Sequence, residues 1–419
     1  MNGQRQVIVI GGGAAGFFGA IACAEAAPHA QVTLLEAAAT PLGKVRISGG
    51  GRCNVTHHCF DPALLVQHYP RGGKALRGAF SRFQPQDTVA WYQRRGVRLK
   101  TEADGRMFPT TDDSATIVDC LMRETRRVGV TVRTKAAVKS IHKIARGFAV
   151  QLRSGDSLVC DRLLLATGNN PQGYRLAADL GHTILKGVPS LFTFNVADRA
   201  LHQLAGVAVD PVALKLSVPS VKHPLSQTGP LLVTHWGLSG PAVLKLSAWG
   251  ARLLHENQYR ATLQVNWLPA LTSEQVRAQL MAAKQAVPKR AIANHCPFEL
   301  PKRLWRYWIE QVDLDTTTWS NLPKKTANQL VEAMNRGTFA VQGKGIFKDE
   351  FVTCGGVKLA EVDFKTMESR RCSGLHFAGE VLDIDGVTGG FNFQSAWTTG
   401  WLAGQAIAAA LAETSLPLK

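Results

Sequence analysis

VIVIGGGAAG, residues 7–16, reads as an apolar strand running straight into a glycine-rich turn, with small residues continuing from Phe17 to Ala27. The spacing is G-x-G-x-x-G on Gly11, Gly13 and Gly16, with Ala14 and Ala15 between the last two. Each glycine has a physical task. Gly11 permits the tight turn, Gly13 lets the backbone approach a pyrophosphate, and Gly16 lets the helix lie close to the sheet. The helix start offers N–H groups and a positive dipole end to phosphates. A second apolar run, Val32–Leu35, ends at Glu36. An acid about 20 residues beyond the turn completes the dinucleotide pattern. Its carboxylate can accept from both ribose hydroxyls, and its charge disfavours a 2′-phosphate. Strand, turn, helix and acid in this order predict a dinucleotide site; the competing reading is a tight turn with no ligand.

Arg5, the apolar run to Ala22 and the small residues Ala24 and Ala26 also resemble a secretory leader. Glycines at 11, 12, 13, 16 and 19 and the strand-like opening argue against it. No other stretch is long and apolar enough to span a membrane. At 419 residues and 45% hydrophobic content the chain can bury a large core and form two or three domains. Its eight cysteines are scattered, none in C-x-x-C and none clustered with histidine at zinc spacing, so no metal site is expected. A reduced, cytoplasmic thiol set is the expectation.

The net charge is +17. It suits nucleic acid, an anionic membrane or an acidic partner, or reflects a general basic bias. Cys120–Arg153 holds nine Lys or Arg against the single acid Glu124, and Pro62–Arg106 holds nine against three. Neither run is continuous, so both read as faces of folded elements.

Beyond Glu36, Gly43 to Asn54 places Gly49-Gly50-Gly51 among Lys44, Arg46, Ser48 and Arg52. This reads as a flexible, cationic, donor-rich loop suited to phosphate or the polar edge of a flavin. Residues 114–128 have helical spacing, and Val130–Arg133 and Ala136–Ile141 read as strands. Phe148–Leu152 and Ser157–Leu165 alternate around a Ser154-Gly155-Asp156 turn. The apolar run ends Ala166-Thr167-Gly168, a second point of close approach. From 190 to 268 short alternating runs predict a small β-barrel or sandwich. From 273 to 335 the spacing turns helical, with Thr272 as a cap and Trp305, Tyr307 and Trp308 among many cations. Such a row is either core plus a solvated face or a nucleic-acid platform. The chain then returns to α/β character through a Thr353-Cys354-Gly355-Gly356-Val357 turn and His376-Phe377-Ala378-Gly379-Glu380. After Gly389-Gly390-Phe391-Asn392 a last helix is expected from about Ser395 to Leu411. A glycine pair at that helix start would favour the negative charge of a reduced flavin.

SGGGRCN at 48–54, ATG at 166–168, TCGGV at 353–357 and FAGEVLDIDGVTGGFNFQSAWTTGWLAG at 377–404 resemble the BaiN/RdsA-type (YhiN-like) NAD(P)/FAD-dependent oxidoreductases. The resemblance implies an α/β, two-dinucleotide-binding-type FAD domain, Rossmann-like and split, carrying an inserted β-barrel and a small helical domain. The expected boundaries are 1–188 and 340–419 for the FAD domain, 189–269 for the barrel and 270–339 for the helices. It also implies that Gly11, Gly13, Ala14, Ala15, Gly16 and Glu36 hold the ADP half of FAD. Lys44, Ser48, Gly49, Gly50, Gly51, Arg52, Cys53 and Asn54 then line the flavin, and Ala166, Thr167 and Gly168 touch the cofactor from the other side. Val138 joins the same set. Gly379, Glu380 and Asp383 meet the ribityl-pyrophosphate region, while Gly389, Gly390, Phe391 and Asn392 cover the pyrimidine edge.

NADH or NADPH is the implied transient reductant, docking without a second G-x-G-x-x-G unit. Family substrates are diverse: conjugated steroid C=C bonds, small amino-ketones and a uridine of ribosomal RNA. A small molecule with a C=C or C=N bond, structured RNA, and a non-enzymatic flavin redox sensor therefore all stand as readings. Cys53, His376 and Cys354 are proton-donor candidates by proximity to motifs, against a buried thiol or satisfied imidazole for each. The helical insertion and the 120–153 run are expected to flank one side of the active-site mouth.

Overall fold

The computed structural model describes residues 4–219, 221–345 and 352–413. The chain divides into two compact units, Met1–Gly187 with Val352–Lys419, and Val188–Phe351. The first is built on a seven-stranded sheet. Its parallel centre comprises β1 (Gln6–Ile10), β2 (Gln31–Leu35), β3 (Thr131–Arg133), β4 (Arg162–Leu165) and β5 (Leu375–Phe377), ordered β5-β4-β1-β2-β3. Val7, Ile8, Val9 and Ile10 are all buried, as expected for a parallel strand covered on both faces.

Two helices with glycine at their starts cross this sheet, α1 (Ala14–Ala26) and α2 (Phe391–Glu413). They touch through small residues. A Cβ at Gly400 would stand 2.6 Å from the Ala15 carbonyl oxygen, and one at Gly404 2.4 Å from that of Gly19. This seam admits no larger side chain, so it fixes the two helix starts against one another.

Several local expectations change in the folded chain. The run 157–165 breaks at Asp161, whose carboxylate accepts from the Gln6 backbone (2.9 Å) and pairs with Arg5 (3.3 Å). Ser157–Cys160 therefore joins a meander with Val138–Lys143 and Phe148–Leu152, and only β4 enters the central sheet. Residues 43–51 are not a loop. Gly43–Ile47 forms a short helix around buried Val45, and Ser48–Gly51 a 3-10 turn with Gly49, Gly50 and Gly51 at φ 58°, 69° and 85°. TCGGV is an extended strand, Val352–Val357, rather than a turn.

The second unit is a closed antiparallel barrel. Around it run Phe194–Val196, Gly237–Ser239, Leu225–Thr234, Ala208–Ser217, Ala261–Asn266 and Gly337–Lys344. The sixth strand follows the helical stretch, so the helices are an insertion within the barrel, and the strand crosses the expected 339/340 boundary. One apolar core serves both parts, joining Trp267 and Phe339 to Leu280, Trp305 and Leu330. Trp305, Tyr307 and Trp308 all lie in that core, so the aromatic row is packing and the cations its solvated face. Thr272 caps Ser273–Ala286 in a reciprocal box with Gln275. No helix among the described residues is long and apolar enough to cross a membrane.

Candidate functional site

The β1–α1 turn combines tight packing with one open position. Gly11 has φ 110° and donates its N–H to Leu35 at 2.8 Å. A Cβ on Gly16 would lie 1.9 Å from the Gly11 carbonyl oxygen, whereas one on Gly13 would meet no protein atom within 4 Å. Gly13 is the N-cap of α1 and supplies no side-chain cap, so the first N–H groups await a partner from outside the helix. Glu36 is anchored beside them: Oε2 accepts from Gly12 N–H and Oε1 from Ala38 N–H, both at 2.7 Å. Each carboxylate oxygen retains a further lone pair.

Three other segments converge here. Ala166 donates to the Ile10 carbonyl at 2.8 Å, tying the Ala-Thr-Gly turn to the end of β1. Lys44 Nζ bridges Glu380 (2.9 Å) and Asn169 (2.8 Å), joining the 43–51 segment, the residue after Gly168, and the Gly379-Glu380 turn. A Cβ on Gly379 would press 2.8 Å from that of Ala15, and the Gly379 N–H is held by Thr399 at 2.9 Å. Thr167 Oγ1 and the Tyr174 hydroxyl are buried with no hydrogen-bond partner among the described residues. Burial, then the neighbouring Glu380 and Asp383 carboxylates, hold the Tyr174 phenol above its ordinary range. Val138 stands in the meander, its carbonyl accepting from Gln172 at 3.2 Å.

At the other helix start, α2 begins at Phe391, four residues earlier than the sequence spacing predicts. Gly390 has φ 91°, and a Cβ there would lie 2.5 Å from the Thr56 carbonyl oxygen. The Asn54 amide bridges the same contact, accepting from Gly390 N–H (2.9 Å) and donating to Thr56 (3.1 Å). Gln394 binds the Thr56 hydroxyl at 2.6 Å, and the Trp397 indole donates to Val55 at 2.9 Å. The Asn392 side chain closes its own loop through both backbone groups of Gly386, at 2.8 and 3.0 Å. Phe391 stacks on His57 and His68, with ring centroids 4.6 and 4.2 Å apart. Arg71 makes a two-point ion pair with Asp385, whose carboxylate is fully buried. The Gly389 φ is 133°.

Some predicted site residues serve the protein itself. The Arg52 guanidinium pairs with Glu102 (2.7 Å) and Asp112 (3.4 Å) and lies 4.0 Å over the Phe108 ring. Ser48 donates to the Val45 carbonyl at 2.9 Å. Burial pushes the Cys53 thiol up to about 12 and lowers His376 to about 4. Cys53 is therefore a neutral thiol and His376 a neutral imidazole in the core, and Cys354 is likewise fully buried. Some of the 120–153 cations are engaged locally: Arg123 with Glu124, Arg127 with Glu124 and Glu25, Arg133 with Asp156, and Arg146 with Asp161. Tyr174, His57, His68 and the Arg71–Asp385 pair carry no motif of their own, though Asp385 lies inside the 377–404 signature.

This arrangement fits a dinucleotide cofactor. There is open space where Gly13 would carry a side chain, an uncapped helix start, an anchored acid at the end of β2, and two buried hydroxyls awaiting a partner. Fold and site together define a Rossmann-type, FAD-binding flavoprotein. The HI0933-like protein Rossmann domain matches residues 5–406, and the chain belongs to that family of flavin-dependent oxidoreductases. It is 32% identical over 419 residues to the ribosomal RNA dihydrouridine synthase of Escherichia coli, covering 97% of this chain and 98% of the relative. It is 30% identical over 414 residues to the 3-dehydro-bile acid delta(4,6)-reductase of Clostridium scindens, covering 97% and 99%. Among solved structures, 3-ketosteroid delta1-dehydrogenase from Sterolibacterium denitrificans shares the fold at a TM-score of 0.52 and 12% identity, covering 97% of this chain and 100% of that one.

Proposed function

We propose that this enzyme reduces a C=C bond conjugated to a carbonyl, drawing electrons from NADH or NADPH. The observation that carries the reading is the pair of full-length relatives. One is named for a bile-acid delta(4,6) reduction and one for dihydrouridine formation, so unlike substrates share a C=C reduction. The chemistry FAD supplies when bound is hydride transfer between a nicotinamide and an electron-poor double bond. Gly11 shapes the turn; Gly13, Ala14, Ala15 and Gly16 present uncapped N–H groups to its pyrophosphate, and Glu36 accepts from the adenosine ribose. Lys44, Glu380 and the Thr167 and Tyr174 hydroxyls orient the central portion. The Gly49–Gly51 turn, Asn54 and the start of α2 border the flavin, where the positive helix end favours negative charge. His57 and His68 are the imidazoles at the α2 start and, in place of the buried Cys53 and His376, the candidates to move a proton there.

A second reading, a uridine within structured RNA, is favoured by the net charge of +17 and by a carboxylate-free cationic cavity in the barrel unit. Anaerobic titration of the yellow holoenzyme tests the proposal. NADH or NADPH should bleach the flavin, and a conjugated enone or a uridine-containing RNA should restore its colour. Failure of both nicotinamides to bleach it would end the reading, and colour restored only by oxygen would turn it towards an oxidase.

A further inference from the structure

The barrel unit holds a cavity of about 380 Å³ lined by Arg199, His202, Gln203, Ala205, His235 and Arg303. Two guanidinium groups and two imidazoles face it, and its walls contain no carboxylate. Asp198, next along the chain, does not line the cavity, and its oxygens are engaged by neutral donors: Oδ1 accepts from Leu201 N–H at 2.9 Å and Oδ2 from the Tyr307 hydroxyl at 2.7 Å. Arg303 is pinned by the carbonyls of Gln203 and Ala205, which orient its charge without cancelling it. Arg199 is exposed and makes no ion pair among the described residues. His202 is fixed by the Val196 carbonyl at 2.7 Å. Beside this cavity the hairpin between Leu225–Thr234 and Gly237–Ser239 carries Trp236, 45% exposed, its ring 6.1 Å from that of His235.

A preformed anion cavity beside an exposed indole matches single-stranded RNA better than either feature matches a free anion or an apolar partner. Phosphates seek fixed guanidinium groups, and every base has a π-face to stack on an aromatic ring. We infer that this cavity and Trp236 form a docking point for a single-stranded segment of RNA, with a phosphate at Arg199 and Arg303 and a base on the indole. The inference rests on the RNA reading above and assigns it a place. Of the cations on the helix Lys302–Gln311, Arg303 lines the cavity and Lys302 and Arg306 do not.

The test is binding of a fluorescein-labelled oligouridine to the FAD-loaded enzyme across a salt titration, with heparin as a polyanion control. Trp236→Ala should weaken oligouridine binding about 5- to 100-fold while sparing heparin, and Trp236→Phe should restore most of it. Arg199→Glu should lower the salt slope by about 0.7 or more, and Arg199→Lys should not. Flavin content and bleaching by NADPH should be unchanged throughout. If the parent binds oligouridine and all four variants bind it equally, the site is wrong while the RNA reading stands. If the parent binds no RNA, the RNA reading falls and the site with it. Loss with Arg199→Glu alone, equal for RNA and heparin, overturns the docking point in favour of general polyanion attraction. The two conservative variants keep the test decisive should either disruptive one misfold.

Discussion

The two helix starts of the first unit are both glycine-rich, yet they use glycine differently. At the β1–α1 turn, Gly13 opens onto space free of protein within 4 Å. At the α2 start, Gly390 is pressed against the Thr56 carbonyl and the Asn54 side chain. The first leaves room for something the chain does not itself provide; at the second the chain itself fills the position a Gly390 side chain would take. A glycine beside a helix N-terminus therefore does not by itself mark a ligand contact. What separates the cases is the occupant of the missing side chain's position. The seam of Ala15, Gly19, Gly400 and Gly404 then couples the two starts, so a distortion of one reaches the other.

The largest effect should come from Gly390→Val. The substitution combines φ 91° with a Cβ 2.5 Å from a backbone oxygen, so the α2 start must move. We expect a stability loss of about 3 kcal/mol or more, in the protein without flavin as well as with it. Thermal melts of both forms check this. An unchanged melt with lowered flavin content would show that Gly390 faces the cofactor after all, and would erase the contrast between the turns.

Next in size is Glu36→Gln. The carboxylate accepts two backbone N–H groups, and an amide can accept only one of them well. Because Glu36 is partly exposed, the expected loss is about 1–2 kcal/mol of stability, with weaker FAD binding on top. Calorimetry of the flavin-free protein and FAD titration separate the two parts. Equal FAD affinity in parent and variant would remove Glu36 from the ribose site.

The legibility of the two turns differs for a physical reason. Everything the first needs is local: a strand, three spaced glycines, a helix and an acid after the next strand, all within residues 7–36. The partner of Gly390 is Thr56, far away in the chain, and only tertiary structure brings them together. Tyr174, Thr167 and the Arg71–Asp385 pair are hidden for the same reason, since isolated side chains in unremarkable segments acquire meaning from neighbours. The barrel was visible as alternating runs, but its closing strand, Gly337–Lys344, lies beyond three helices and carries glycine at both 337 and 343. The short helix Gly43–Ile47 was obscured by the glycines that follow, although Val45 supplies its buried anchor. The Trp305–Trp308 row resolved as core because Leu304 and Ile309 share its buried face.

Gly13→Ala probes the open side of the comparison. The backbone at Gly13, φ −93° and ψ −170°, is accessible to alanine, and its Cβ would meet no protein atom. The flavin-free protein should therefore keep its stability within about 1 kcal/mol. FAD affinity should fall about tenfold, a difference of about 1.4 kcal/mol, because the methyl group occupies the approach to the helix N–H groups. A variant that loses stability without flavin, or binds FAD as the parent does, would place Gly13 on the protein side of the divide.

The smallest effect concerns His376, which lies in β5 just before the Gly379-Glu380 turn but belongs wholly to the core. Burial lowers its pKa to about 4, against about 6.5 for an exposed imidazole. As pH falls below about 6.5, the unfolded chain takes up a proton that the folded chain refuses. The stability tied to this group is thus complete above that pH and is lost on acidification, until the folded imidazole itself protonates near 4. Between pH 7 and 5.5 the loss should be about 1 kcal/mol, or roughly 1–2 °C in melting temperature for a protein of this size. His376→Gln should flatten that part of the profile, whatever it does to the stability at neutral pH. If the acid slope survives the substitution, protons are entering elsewhere. If the flavin spectrum shifts with the same pH midpoint in the parent alone, His376 senses the cofactor and sits on the ligand side.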